Sequence, residues 1–366
     1  MKRSMIALLI LIIAIAMMGC TKKTTNDGIN SNLGDTQITI PPSSDAMVTP
    51  QLTSSAAQEN HEGEMKSFLT GLWVPVEIGN RRPIAFQFNN FKVVSNQSGI
   101  SQADIVYECM VEGGITRLLG IGENYTGDRI GSTRSARHYF VSIADEYDAI
   151  YIHFGKTKYA TSKMNKLGID HLDGSGSGGA IFYRDKNIKA PHNAFASAES
   201  IWKAIDKAGF EKQHADGYES HFTFYEQDTD LVNGNVANKV ALKYSGYTAP
   251  YFEYNDKDKL YYRFQFGAPH KDTVTDAQLS FKNVIVQFVK EWNIDKNGYQ
   301  TMDLEDATGR GYYITNGKVN LITWKKDESL RWMRYYNEAG EELTINPGKT
   351  FIEVFPQDRL DDVTVK

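Results

Sequence analysis

Residues 103–122 read ADIVYECMVEGGITRLLGIG. Two runs rich in apolar residues, 103–111 and 116–121, flank the pair Gly113-Gly114. Runs of this length, bounded by residues that permit a turn, are typical of strands. The stretch therefore predicts two neighbouring strands, and the rest of the fold can be built outward from them.

Further strands and helices are predicted on both sides of this pair. Short apolar runs bounded by turn residues indicate strands, and apolar residues at helical spacing indicate helices. Ser132 or Thr133 is a candidate cap for the first of these helices. The predicted strands are 83–88 and 149–154; the predicted helices carry Tyr139, Phe140, Ile143 and Ala144, then cover 159–167, then 199–208 with Gly209 as the C-cap.

The pattern changes after about residue 218 to short strands separated by turns. An Asn-Gly pair between strand-like runs is a strong local signal for a hairpin. Such pairs occur at Asn233-Gly234, Asn297-Gly298 and Asn316-Gly317. We therefore predict an α+β fold, in which a mixed, layered α/β domain over residues 66–215 precedes a smaller β-rich domain over residues 216–366.

The amino-terminal residues predict export. Lys2 and Arg3 precede an apolar run from Met5 to Met18, which is the arrangement of a signal peptide over residues 1–20. This run is shorter than the roughly 20 residues that a membrane-spanning helix needs. Residues 21–65 are mainly small and polar, and this composition predicts a disordered tether.

Cys20 is the predicted attachment point to the membrane. Residues Met17 to Cys20 resemble a lipobox, in which the thiol is acylated and the signal is cut just before it. Met18 departs from the usual small residue at its position. We expect a lipid-anchored protein on the outer face of the bacterial plasma membrane. With Cys20 acylated, Cys109 has no disulfide partner, and its apolar surroundings predict a buried, inert thiol.

Composition excludes several kinds of partner. The 366 residues carry a formal net charge of only -5, and no run of Lys and Arg is present, so nucleic acid is not expected as a partner. The histidines and nearby aspartates form no metal-binding motif. No metal or other cofactor is predicted.

Several uncommon strings occur in a fixed order along the chain and resemble the YerB-like lipoproteins of Gram-positive bacteria. The resemblance implies an α/β N-terminal domain, a β-rich C-terminal domain and a lipid anchor, with no established reaction. The strings are RPIA at 82–85, ADIVYE at 103–108, EGGITR at 112–117, IGSTRSAR at 130–137, YDAIY at 147–151, APHN at 190–193, GYY at 311–313 and LTINPGKT at 343–350.

A set of polar residues among these core-forming segments predicts a cleft. Arg134 and Arg137 are three residues apart at a predicted helix N-terminus, where two guanidinium groups and free backbone N–H groups suit phosphate or carboxylate. A purely structural alternative pairs the arginines with the glutamates. The predicted binding residues are Asn90, Glu108, Glu112, Thr116, Arg117, Arg134 and Arg137, with Arg184 and His192 beyond a glycine-rich loop that could cover a ligand.

Catalysis is an alternative for the same residues. Glu108 and Glu112 could act as general acid and base on a wall sugar or peptide. On an extended strand their side chains would lie roughly 13 Å apart, too far for a glycosidase pair unless the chain turns at Gly113-Gly114. No serine lies in a motif typical of a nucleophile.

The sequence therefore favours binding over catalysis. We predict an accessory protein of the cell envelope that recognises an anionic or peptidoglycan-like group, or an envelope protein, through the polar cleft. A wall-acting hydrolase or transferase using Glu108 and Glu112 is one alternative. A solute-binding lipoprotein is another, although such proteins have two lobes of similar fold around a deep pocket.

Overall fold

The computed structural model describes residues 60–94, 96–175, 180–327 and 332–366. The predicted signal peptide, Cys20 and all but the last residues of the predicted tether lie outside the described residues. The same holds for residues 176–179 of the glycine-rich loop. The described residues belong to one compact unit.

The helices are short, and their ends follow from local capping. Thr157 accepts a hydrogen bond from the amide of Ala160, and Ser197 and Ser200 form a capping box. Gly209 has a positive φ of 71° and closes the last helix, as predicted. The helices are α1 Val76–Gly79, α2 His138–Glu146, α3 Lys158–Leu167 and α4 Ala198–Ala208. Within the described ranges, no helix has the length and apolar character needed to cross a membrane.

Strands make up most of the remaining regular structure. They are β1 Glu64–Lys66, β2 Trp73–Pro75, β3 Ile84–Asn89, β4 Ile105–Met110, β5 Thr116–Gly122, β6 Ile130–Gly131, β7 Ile150–His153, β8 His171–Asp173, β9 Phe182–Arg184, β10 Ala194–Ala196, β11 Thr223–Phe224, β12 Asn235–Val236 and β13 Lys239–Leu242. They continue as β14 Tyr251–Asn255, β15 Leu260–Gln265, β16 Ala268–Pro269, β17 Ser280–Phe281, β18 Asn283–Val289, β19 Glu291–Asn293, β20 Gln300–Met302, β21 Ala307–Thr315, β22 Lys318–Lys326, β23 Arg334–Tyr336, β24 Thr344–Ile345, β25 Thr350–Pro356 and β26 Val363–Val365.

One large sheet, called the central sheet here, combines strands from both halves of the chain. Its order is β12-β22-β21-β18-β25-β4-β5-β3-β7-β8, with β23 beside β22. The strand β25 lies between β18 and β4 and is parallel to both. The segments predicted as 66–215 and 216–366 therefore share one continuous set of backbone hydrogen bonds.

A second sheet covers one face of the central sheet. Its order is β16-β15-β14-β13-β26, with β17 beside β15. Smaller sheets are β6-β10-β9, β1-β2, β11-β24 and β19-β20.

Alternation along the central strands divides the core in two. On β4, Ile105 and Tyr107 belong to the apolar cluster that contains α2 and α3 residues such as Phe140 and Met164. Val106 belongs to the opposite cluster, which contains residues of α4 and of the second sheet. Each face of the central sheet is thus buried by a different layer.

The structure confirms most of the predicted elements. The predicted strands at 83–88, 103–111, 116–121 and 149–154 correspond to β3, β4, β5 and β7, and the predicted helices at 159–167 and 199–208 correspond to α3 and α4. Asn297-Gly298 and Asn316-Gly317 lie in the hairpins β19-β20 and β21-β22. Cys109 is a buried free thiol.

Three predictions about local structure are wrong. The helix α2 is not capped by Ser132 or Thr133, because residue 133 is extended and forms a bridge with Phe88; Arg137 is the N-cap residue. Asn233-Gly234 does not form a hairpin, because the strand after it, β12, pairs with β22. The predicted tether also ends slightly too late, since β1 begins at Glu64.

Candidate functional site

The predicted site residues lie near one edge of the central sheet. The strands β4, β3, β7 and β8 run in the same direction, with the antiparallel β5 between β4 and β3, so their carboxyl ends meet at this edge. Asn90 follows β3, Glu112 follows β4, and the N-terminus of α2 lies here as well. In open α/β sheets, ligands commonly bind outside the carboxyl ends of parallel strands.

The central sheet separates the predicted residues into two groups. Thr116 and Arg117 are neighbours on β5, so their side chains point to opposite faces. Thr116 lies with Glu108 and Asn90 on the face covered by the second sheet. Arg117 lies on the face covered by α2, near Arg137 and Tyr139. The polar residues that the sequence predicts in one cleft therefore form two groups on opposite faces of the central sheet.

The first group, called the buried network here, is centred on an ion pair between Glu108 and Arg263, whose side chains are both 0% exposed. Asn90 donates to Glu108 Oε1 at 3.2 Å and to Thr116 Oγ1 at 2.9 Å, and Thr116 also donates to Glu108. Because Glu108 lies on β4 and Arg263 on β15, their ion pair joins the two sheets. The carboxylate of Glu108 is enclosed and neutralised, so the buried network does not offer an open binding surface.

The buried network continues from Arg263 through His270 to Gln97. Arg263 donates to His270 Nδ1 at 2.5 Å, and the opposite ring nitrogen of His270 donates to Gln97. Burial and the charge of Arg263 hold the pKa of His270 well below its usual value. His270 is therefore uncharged at neutral pH and serves as a relay of hydrogen bonds.

Glu353 on β25 adds a second carboxyl group in register with Glu108 on β4. Tyr244 donates to Glu353 Oε2 at 2.8 Å. Burial and the neighbouring Glu108 raise the pKa of Glu353 well above its usual value. Burial and the neighbouring Glu108 thus favour the protonated form of Glu353, while Glu108 is the ion-pair partner of Arg263.

The second group contains Arg117, Arg134 and Arg137, called the arginine cluster here. Arg137 Nε donates to Glu112 Oε1 at 2.9 Å and to Oε2 at 3.1 Å. Burial alone would raise the pKa of Glu112, but the hydrogen bonds and charge of Arg137 outweigh it and hold that pKa below its usual value. Glu112 is thus ionised and engaged by Arg137.

Arg117 and Arg134 have no comparable partner. No described carboxylate lies within ion-pair distance of either guanidinium. Arg117 is only 6% exposed and donates to the carbonyl oxygen of Ser135, and Arg134 reaches the carbonyl oxygen of Pro191 at 3.5 Å. Burial and the charge of Arg137 lower the pKa of Arg117 to about 9 and also lower the pKa of Arg134. Three guanidinium groups thus share one carboxylate, and the excess positive charge favours an anion.

His192 and Arg184 form a rim beside the arginine cluster. His192 Nδ1 accepts from Asn89 at 3.0 Å, and its ring stacks on Phe91 with centroids 4.7 Å apart. Burial and the charge of Arg134 lower the pKa of His192, so the ring is neutral at neutral pH. Arg184 lies over the ring of Phe154, 4.6 Å from its centroid, and the amide of Phe154 donates to the Arg134 carbonyl.

Two cavities in the described part of the chain lie elsewhere. One of about 310 Å³, called the hairpin cavity here, lies against the β1-β2 hairpin. The other, of about 680 Å³, is lined by Arg82 and several acidic residues including Asp148 and Asp170. Arg82 forms ion pairs with both of these aspartates. Neither cavity is lined by a residue of the arginine cluster.

No metal centre is evident among residues 60–94, 96–175, 180–327 and 332–366, where no three His, Cys, Asp or Glu side chains are grouped to hold an ion. His153 is fully buried, its Nδ1 donates to the carbonyl oxygen of Gly155 at 2.9 Å, and its Nε2 lies 3.1 Å from His171 Nδ1. Burial lowers the pKa of His153 to about 4.

The sequence analysis missed the partners of Glu108 in the second half of the chain. Arg263 lies on β15, where Tyr261, Arg263 and Gln265 point inward and their neighbours are half-exposed. An arginine in phase with the inward face of an alternating strand is a signal that a buried acid must be nearby. This signal is present in the sequence, but it does not identify which acid is the partner of Arg263.

Comparison with known proteins agrees with this architecture. Residues 69–211 match the N-terminal domain of the family described as a protein of unknown function (DUF3048), and residues 240–352 match its C-terminal domain. The chain is 30% identical over 302 residues to "Putative lipoprotein YerB" of Bacillus subtilis (strain 168), covering 80% of this chain and 87% of that protein. The chain belongs to the YerB-like family.

A solved structure extends the likeness to the fold. The crystal structure of the YerB protein from Bacillus subtilis superposes with a TM-score of 0.73 at 29% identity, covering 82% of this chain and 99% of that one. The YerB-like fold is therefore shared over both matched segments. The resemblance inferred from the sequence strings is confirmed, as is the α+β fold class.

Proposed function

We propose that this member of the YerB-like family is a lipid-anchored extracytoplasmic protein that recognises an anionic group of a cell-wall polymer through the arginine cluster. The observation that carries the proposal is that Arg117 and Arg134 lie beside Arg137 without a described carboxylate of their own. A buried guanidinium without a counter-charge is costly, and a bound anion would offset that cost.

The surroundings of the arginine cluster support the same proposal. It lies where parallel strands end and next to the N-terminus of α2, a helix of nine residues. Backbone N–H groups at such an end favour negative charge, and guanidinium forks match phosphate and carboxylate oxygens. Arg184 on the rim provides a further positive group without a described carboxylate partner.

The geometry gives less support to the two alternatives. A hydrolase would need free carboxyl groups, whereas Glu108 is enclosed with Arg263 and Glu112 is bound by Arg137. A solute-binding protein would need two similar lobes, whereas both segments of this chain share the central sheet. We therefore propose that the arginine cluster binds an anionic group without cleaving a bond.

Wall binding is tested with the full chain carrying Cys20→Ser, so that no acyl group is attached. The probes are sacculi that carry poly(glycerol phosphate) and the same sacculi stripped of phosphate polymer by acid. Wild-type protein is expected to pellet, and Arg134→Ala to bind about tenfold or more weakly, because a charge-assisted hydrogen bond contributes roughly 1.5–3 kcal/mol. Arg134 is the preferred variant because it is only half-buried.

Two controls make the result specific. Lys203→Ala removes an exposed cation paired with Glu199 on α4 and is expected to leave pelleting unchanged. Soluble wall fragments released during incubation are measured for wild type and for Glu108→Gln. Equal pelleting of Arg134→Ala and wild type would contradict the proposal, and release that depends on Glu108 would establish the hydrolase instead.

Anchoring is tested separately at Cys20, which lies outside the described residues. The relative from Bacillus subtilis carries the name of a lipoprotein, and this supports an envelope location for the present chain. We expect the mature chain to begin with a diacylated Cys20, detected by mass spectrometry, and Cys20→Ser to move the protein from the membrane fraction to the medium. Retention of Cys20→Ser in the membrane would contradict lipid anchoring.

A further inference from the structure

The hairpin cavity has walls of two different kinds. Its volume is about 310 Å³. The apolar wall comes from the turn after β1, from β2 and from α1. The polar wall comes from the residues just before β4 and β25 and just after β5. The side chains that matter here are Leu72, Val74 and Ile78 on the apolar wall, and Asp104, Glu123 and Lys349 on the polar wall.

The two carboxyl groups of the polar wall are held close together. The amide of Glu123 donates to Asp104 Oδ2 at 3.1 Å, and Ser67 donates to Glu123 Oε1 at 3.0 Å. Glu123 is only 3% exposed. These contacts fix two acids side by side, and the backbone amides of Phe68 and Leu69 also act on the carboxyl group of Glu123.

Lys349 brings the opposite charge to the same cavity. Its ammonium donates to the carbonyl oxygen of Ser101, and no described carboxylate lies within ion-pair distance of it. The attraction between Lys349 and Asp104 is therefore a longer-range one. The cavity thus holds separated groups of both signs, each with unused hydrogen-bonding capacity.

The pKa values agree with this geometry. Burial and the neighbouring Asp104 raise the pKa of Glu123 to about 8, and burial lowers the pKa of Lys349. Glu123 is therefore largely protonated at neutral pH. A cation placed beside it would favour the carboxylate and release a proton.

We infer that the hairpin cavity binds a small zwitterion with an apolar body, of the chemical class of hydrophobic α-amino acids. The ammonium lies between Asp104 and Glu123, the carboxylate meets Lys349, and the apolar side chain packs on Leu72, Val74 and Ile78. The volume is at the lower end of the roughly 300–1,000 Å³ of small-molecule sites, which fits a ligand of this size. The site is separate from the arginine cluster.

Calorimetric titration of the full chain carrying Cys20→Ser tests the inference. The probes are L-leucine and D-leucine, leucinamide, which lacks the carboxylate, and 4-methylpentanoate, which lacks the ammonium. We expect at least one leucine enantiomer to bind, and both analogues to bind about tenfold or more weakly because each leaves one charged wall group unpaired. Binding near pH 7 is also expected to release a proton, seen as a dependence of the heat on the buffer.

Variants identify where binding occurs. Val74→Trp fills the cavity and Lys349→Met removes its cation, and each is expected to abolish or strongly weaken leucine binding while the melting temperature shows that the fold persists. Arg134→Ala, in the arginine cluster, is expected to leave leucine binding unchanged, so failure of the two proposals can be told apart. Absence of leucine binding, equal affinity for the analogues, or unchanged affinity in both cavity variants would overturn the inference.

Discussion

Glu108 and Arg263 depend on each other because neither side chain reaches solvent. Removing one charge would leave the other buried and unpaired, which is far more costly than losing an exposed pair. The pair joins β4 to β15, so its effect on stability reaches both sheets. At the scale of residues, the buried network is thus a structural element, whereas the arginine cluster keeps an excess of positive charge.

Arg263→Met is expected to lower the free energy of unfolding by about 3–5 kcal/mol, because Glu108 keeps its burial and loses its counter-charge. The measurement is urea denaturation followed by tryptophan fluorescence. The matched control is Lys239→Met, which breaks a pair with Glu253 in which both side chains are 46% exposed. The control is expected to change stability by less than about 1 kcal/mol; a similar loss in both variants would contradict the assignment.

Glu123→Gln is expected to change how stability depends on pH. The pKa of Glu123 is raised to about 8 in the folded chain, so the stability it contributes is fully present below its unfolded pKa of 4.5 and is lost as pH rises towards 8. Glutamine does not titrate. The variant should therefore gain stability relative to wild type between about pH 5 and pH 8, by up to about 1.4 kcal/mol per pH unit. A constant difference in urea midpoints over this range would contradict the prediction.

Residue types indicated the charged groups, but not their partners. Glu108, Thr116 and Arg117 were recognised as polar residues among core-forming segments, and alternation along β5 already requires the last two to face apart. The partner of Glu108 lies 155 residues away along the chain. Pairing over such a separation is set by the packing of the two sheets, for which a single sequence has no local signal.

At the scale of elements, the hairpin β21-β22 shows how a two-residue turn sets the register of two long strands. Asn316 and Gly317 have φ of 49° and 74°, the signs required at both central positions of a type I′ turn. The nine residues of β21 then pair with the nine of β22. This element was predictable because its determinant is local. The start of α2 was not, because tertiary bridges hold the residues before it extended.

Gly317→Ala is expected to destabilise the protein more than Gly298→Ala. Both glycines have φ near 75°, where a Cβ costs roughly 1–2 kcal/mol. Only at Gly317 would the new Cβ also meet a neighbour, Tyr254 Cε1 at 2.8 Å, while nothing lies within 4 Å at Gly298. Thermal unfolding of the two variants measures the difference. Equal losses of stability would contradict the prediction, because they would mean that the side chain of Tyr254 moves away from the new Cβ without destabilising the fold.

At the scale of the whole molecule, β25 ties the two matched family segments together. It is buried along its length and pairs with β18 and β4 in parallel. The pattern of apolar runs and turn residues correctly indicated an α/β first half and a β-rich second half. It could not show that they share a sheet, because strand order across the junction is determined by long-range pairing.

The segment 60–215 alone is expected not to fold. Without β25, the strand β4 loses its parallel neighbour, and Glu108 loses both Arg263 and Glu353. Circular dichroism and thermal unfolding of the isolated segment should show no cooperative transition, whereas residues 60–366 should unfold in one step. Recovery of a cooperative transition when 60–215 and 216–366 are mixed would support the shared sheet. A native-like melt of 60–215 alone would contradict it.

The place of β25 also governs when the chain can fold. Residues 350–356 follow both of their neighbouring strands along the sequence, yet they occupy the interior of the central sheet between β18 and β4. A nascent chain must therefore hold an incomplete sheet until β25 has been made, and such non-local pairing is slow in any case. The export that residues 1–20 predict requires an unfolded polypeptide, and this delay would keep the chain unfolded for passage through a membrane channel.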